Sequence, residues 1–158
     1  MPPIFYVPMP SDLAHAYRQG APDANGQLPQ IVTSDGGGNQ CRHCLTIIPE
    51  GQEMLLLAYR PFPAPDAFAE VGPVYICNAD CSAFSGSDVP ASVLASAQFL
   101  IRGYGDDNRI VYGTGRVVDT SQIAGVATDI FSDTKVAYLH LRSACNNCYQ
   151  ARIERAAD

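Results

Sequence analysis

Six cysteines fall into three close pairs, Cys41/Cys44, Cys77/Cys81 and Cys145/Cys148, written C-R-H-C, C-N-A-D-C and C-N-N-C. Two-residue spacing lets one turn aim both sulfurs at a common point, which a tetrahedral zinc with Zn–S bonds of about 2.3 Å requires. Three readings compete for such a set. In a secreted chain, six cysteines read as three disulfides. A redox C-x-x-C belongs at a strand-to-helix junction, with its thiolate at a helix N-terminus. Cys41 instead follows the glycine loop 34–39 and precedes a turn. Zinc held by four of the six is therefore the favoured reading, with inert buried thiols as the plain alternative. The expected ligands are Cys41, Cys44, Cys77 and Cys81. His43 lies inside the first pair, where a side chain usually points away from the metal, so it is expected to face solvent or to stand just outside the ligands.

A second constellation is Tyr138, His140 and Arg142. On a strand, alternation puts these three on one face and Ala137, Leu139 and Leu141 on the other. Arg152 and Glu154 share a face in the same way, with Ile153 opposite. A Tyr/His/Arg face beside Arg152 suits an anionic ligand or acid–base chemistry; an ordinary half-exposed sheet face is the plain alternative. Gly113-Thr114-Gly115 is weak as a phosphate cradle, and Asp106-Asp107-Asn108 reads as a solvated hairpin tip. No P-loop, Rossmann fingerprint, hydrolase elbow or H-E-x-x-H helix is present.

The elements that must position these residues are mostly strands. Strand-like runs are 4–7, 31–33, 52–60, 74–77, 98–104, 109–118, 136–142 and 149–154, the fifth and sixth joined by the hairpin loop 105–108. Ser11 is a helix-capping candidate, and Pro90 can open a short helix. Ile123, Val126, Ala127 and Ile130 recur at helical spacing, which predicts the clearest helix over about 120–132, capped by Asp119 or Ser121. Many strands with few helices, and no regular βαβ alternation, predict an α+β fold with a mostly antiparallel sheet, two or three short helices and a cysteine-rich zinc knuckle. A chain of 158 residues reads as a single domain, 1–158.

Net charge is −6, with an isoelectric point near 4.8. That argues against nucleic acid as a partner, which needs a basic face. No run approaches the roughly 20 apolar residues of a membrane helix. The start, Met1-Pro2-Pro3-Ile4-Phe5-Tyr6-Val7-Pro8, has no basic segment and no continuous apolar stretch, so no signal peptide is expected and cytoplasmic residence is the default.

Cys41-Arg42-His43-Cys44-Leu45, Met54 to Phe62 (M-L-L-L-A-Y-R-P-F), Glu70 to Ile76, Val136 to Arg142, and Cys148-Tyr149 with Arg152-Ile153-Glu154-Arg155 together resemble the bacterial domain-of-unknown-function family 1203. The likeness runs in order from about residue 40 to the end. The family has no established activity to carry over. The resemblance does imply that histidine is common at the position of Cys77, an exchange that metal ligands tolerate and disulfides do not. It also implies a cysteine at Cys148 but not at Cys145, which makes Cys148 the substitute ligand.

Two functions remain open. One is a binding or interaction module with a structural zinc, whose partner is a small anionic ligand or a protein. The other is a small metal- or thiol-dependent enzyme that uses Tyr138, His140, Arg142 and Cys148.

Overall fold

The computed structural model describes residues 3–157. Its backbone forms two compact units, one from residues 3–7 and 96–157 and the other from Pro8–Ala95. Among the described residues, no helix is long and apolar enough to cross a membrane.

The first unit is a five-stranded sheet in the order β1-β8-β7-β5-β6, with every neighbouring pair antiparallel. Its strands are β1 (Ile4–Val7), β5 (Gln98–Tyr104), β6 (Arg116–Asp119), β7 (Tyr138–Ser143) and β8 (Tyr149–Arg155). Registry places Leu139 opposite Gly103 and Ile153, and Leu141 opposite Ile101 and Ala151. All but Gly103 belong to the buried apolar core, which carries most of this unit's stability. The expected helix forms as α3 (Ile123–Ile130), burying Ile123, Ala127 and Ile130 and lying against β1 and β6. Neither Asp119 nor Ser121 caps it; a 3-10 turn at Thr120–Gln122 leads in instead.

The run 109–118 is not one strand. Only Arg116–Asp119 joins the sheet, and Ile110 touches Tyr104 through an isolated bridge. Between them Gly113 takes φ 94°, and Thr114 folds back so that its hydroxyl accepts from Gly103 N–H at 2.9 Å and donates to the Val111 carbonyl at 2.6 Å. The Gly-Thr-Gly segment is thus a plug over Gly103. A Cβ at Gly103 would meet three Thr114 side-chain atoms at 3.1–3.2 Å. Gly103→Ala should therefore destabilise by about 1–3 kcal/mol in urea unfolding. Adding Thr114→Ser, which removes one of the three atoms, should recover part of that loss; additive effects would show that the two side chains do not compete.

The second unit holds α1 (Ser11–Arg18), α2 (Ala91–Leu94) and a three-stranded antiparallel sheet ordered β2-β3-β4, with β2 (Gln30–Thr33), β3 (Glu53–Tyr59) and β4 (Gly72–Cys77). Its core includes Ala14, Tyr17, Leu45, Ile48, Met54, Leu57, Val74 and Ile76. The helix α1 has no side-chain cap; Pro10 occupies the N-cap position, and Ser11 is used elsewhere.

Candidate metal centre

The first cysteine pair sits on a tight hairpin turn. Gln40 bridges Ile47, Cys41 N–H donates to the Thr46 carbonyl at 2.9 Å, and Leu45 N–H donates to the Cys41 carbonyl at 2.9 Å. Closing this turn forces Leu45 into the left-handed region at φ 54°. A side chain there costs on the order of 1 kcal/mol, offset here by burying it to 1% exposure. The second pair begins on the last residue of β4, Cys77, and continues past it to Cys81. Cys41 bridges Tyr75 in parallel, and Arg42 N–H donates to the Tyr75 carbonyl at 3.0 Å, which lays the turn against the end of that strand. Past Cys77, Phe84 N–H donates to the His43 carbonyl at 3.0 Å, so the chain carrying Cys81 doubles back onto the first turn.

Four sulfurs meet as a result. Those of Cys41, Cys44, Cys77 and Cys81 all lie within 4.8 Å of one another, with Cys41–Cys81 and Cys44–Cys77 both at 3.9 Å. A tetrahedral zinc with about 2.3 Å bonds sets sulfurs about 3.8 Å apart, so the arrangement fits with a small contraction of its wider edges. Cys41 is fully buried and the others half-buried. Without a cation, four thiolates cannot coexist at this spacing. The Cys44 thiol is driven down because Cys41 and Cys77 donate to its sulfur, whereas Cys77 is driven up by its contacts with Cys41 and Cys44. Cys81 is pushed up to about 12, first by burial and then by the charges of Cys41 and Cys44. A divalent cation removes this conflict, since coordinated thiols ionise outright.

The sulfurs are also held from outside. Cys77 N–H points at the Cys41 sulfur at 3.3 Å, and the Thr46 hydroxyl lies 3.1 Å from Cys44. Arg18, at the last turn of α1, donates from Nη2 to the Cys81 sulfur at 3.2 Å and from Nε to the Cys77 carbonyl at 2.9 Å. His43 is buried rather than solvent-facing, with Nδ1 3.2 Å from the Cys81 sulfur and Nε2 2.8 Å from Ser11 Oγ. Burial, then the Arg18 charge, lowers its pKa and keeps it neutral. With Cys81 a thiolate, Nδ1–H donates to sulfur and Nε2 accepts from the Ser11 hydroxyl. Sequence reasoning missed Arg18 and gave Ser11 a capping role. The available signal was their spacing of seven, which returns both to one side of a helix.

The family model described as Protein of unknown function (DUF1203) matches residues 38–155. The chain belongs to this family. No curated protein and no solved structure matches it.

The span shared with DUF1203 holds all four clustered cysteines, whereas α1 lies before it. The same span holds the other predicted residues, on the first unit's sheet. Registry puts His140 opposite both Arg102 and Arg152, and Tyr138 opposite Tyr104. Arg152 stacks on the Tyr138 ring at 3.8 Å and its Nε donates to Glu154 at 2.6 Å. The Tyr104 and Tyr138 rings lie parallel at 5.3 Å, and His140 packs on both and edge-on to Tyr149. Arg142 donates from Nη1 to the Asn147 carbonyl at 3.1 Å. This face is not half-exposed: Tyr138, His140 and Arg142 are 3%, 0% and 4% exposed. Cys145 and Cys148 lie on the β7–β8 turn and are not part of the four-sulfur group; both are free thiols.

Proposed function

We propose that the chain is a binding or interaction module whose second unit is stabilised by a structural zinc on Cys41, Cys44, Cys77 and Cys81. The observation that carries this is the convergence of four sulfurs from two turns at near-tetrahedral spacing. Four protein sulfurs fill a zinc's tetrahedron and leave no position for substrate, which favours a structural over a hydrolytic role. Metal analysis of the purified chain tests it. One zinc per chain, released by chelator with loss of thermal stability, is the expected result. Substoichiometric metal after growth with added zinc would rule the reading out, and one tightly held iron in its place would overturn zinc while keeping the site.

A second reading concerns the partner. Three guanidiniums, Arg142, Arg152 and Arg102, act on His140 through their charge, and Glu154 is bonded to Arg152. The registry that brings Tyr138, His140, Arg142 and Arg152 onto one face, with Arg102 also opposite His140, supports a small anionic ligand there. Millimolar phosphate should raise the melting temperature of the wild type and not of Arg152→Met; equal shifts in both would remove this face from consideration.

A further inference from the structure

We infer that Arg18 and the Ser11–His43 pair are positioning residues for the metal centre, and that together they couple the docking of α1 to metal occupancy. The inference rests on the four-cysteine reading above and adds a part that lies outside the DUF1203 span. Both ends of one eight-residue helix reach one sulfur. From the first turn, the Ser11 hydroxyl meets His43 Nε2 at 2.8 Å, and His43 Nδ1 meets the Cys81 sulfur at 3.2 Å. From the last turn, the Arg18 guanidinium meets the same sulfur at 3.2 Å and the Cys77 carbonyl at 2.9 Å, so it holds both members of the second cysteine pair. Its third contact, to Asp80 at 3.7 Å, involves a carboxylate that is 91% exposed and contributes little. The Arg18 side chain itself is 7% exposed.

Charge explains why a cation belongs there. Zinc with four thiolates carries two net negative charges in a partly buried setting. A buried guanidinium offsets one of them and donates a charge-assisted hydrogen bond. Removing the metal removes the bonds that hold the four sulfurs at this spacing, so the Cys81 sulfur is no longer fixed where Arg18 and His43 meet it. The two tethers of α1 weaken together. Between them Ala14 and Tyr17 are the buried residues of α1, so the sulfur contacts weigh heavily in holding the helix.

The test compares wild type with Arg18→Met and Arg18→Lys. Arg18→Met should speed transfer of zinc to a chelator roughly tenfold to a hundredfold. It should also move the sulfur-to-cobalt charge-transfer band of the Co(II)-loaded protein to longer wavelength, because an unbonded thiolate is a better electron donor. Arg18→Lys keeps the charge, loses the two-pronged contact and should fall between. Hydrogen exchange of wild type with and without zinc is the second measurement and needs no variant: α1 amides should lose protection on metal removal while α3 amides do not. Failure of the wild type to bind zinc or cobalt would overturn the four-cysteine reading and this inference with it. Stoichiometric metal with an unchanged release rate and spectrum in Arg18→Met, or with α1 equally protected in both states, would overturn the inference alone.

Discussion

Cys41→Ser or Cys81→Ser should release zinc and lower the melting temperature by something on the order of 10–20 °C, while Cys145→Ser should change neither. A serine hydroxyl at either position is a poor zinc ligand near neutral pH, and three remaining sulfurs leave an open, labile site. Structural zinc contributes about 10 kcal/mol of apparent folding free energy in peptides with no core of their own. Here Met54, Leu55, Leu57, Val74 and Ile76 form an apolar core without it. A loss of a few kcal/mol is therefore expected rather than complete unfolding, and in a unit of this size that is the temperature shift stated. Cys145 is exposed on a turn, where substitutions usually stay within about 0.5 kcal/mol. Metal content by elemental analysis and melting by circular dichroism give the two readings. Full zinc occupancy in Cys41→Ser/Cys81→Ser would exclude the site. Loss of zinc in Cys145→Ser would show that the third pair had been wrongly set aside.

The clustering of Cys41, Cys44, Cys77 and Cys81 was legible because its cause is local. A C-x-x-C turn aims two sulfurs whatever the rest of the chain does, and a strand ending at Cys77 only had to pair with β3, as it does in antiparallel register. The alternation that placed Tyr138, His140 and Arg142 on one side of β7 was local as well. What surrounds those residues was not. Alternation identifies faces but not how deeply each is covered, so His140 read as half-exposed while it is fully buried. The run 109–118 read as one strand because β-branched residues dominate it, and Gly113 with the Thr114 hydroxyl bond at Gly103 breaks the ladder. Arg18 meets the Cys81 sulfur 63 positions away along the chain (81 − 18), and Ser11 meets His43 32 positions away (43 − 11), relations no short-range pattern encodes.

Stability should fall as pH drops below about 6.5, and part of that fall should disappear in His140→Phe. His140 is fully buried; its pKa is held well below the usual histidine value, first by burial and then by the charges of Arg142, Arg152 and Arg102. Above about 6.5 the ring is neutral in folded and unfolded chains alike, and it confers no pH dependence. Below that value the unfolded chain takes up a proton that the folded chain refuses until its own, lower pKa is reached. The unfolded state then binds more protons, so acid favours unfolding, by at most about 1.4 kcal/mol per pH unit and about 2 kcal/mol between pH 6.5 and 5. Acid also protonates the cysteine sulfurs, and His43, likewise lowered, adds a slope of the same sign. Both contributions are common to wild type and variant, so the difference in slope isolates His140. Phenylalanine preserves the ring that packs on Tyr104, Tyr138 and Tyr149, although the variant's absolute stability need not match the wild type's. Urea unfolding of zinc-loaded protein at half-unit steps from pH 5 to 7.5 gives the two curves. Parallel curves would show that His140 binds its proton equally in both states, and so that the buried, arginine-flanked ring is not held neutral by the fold.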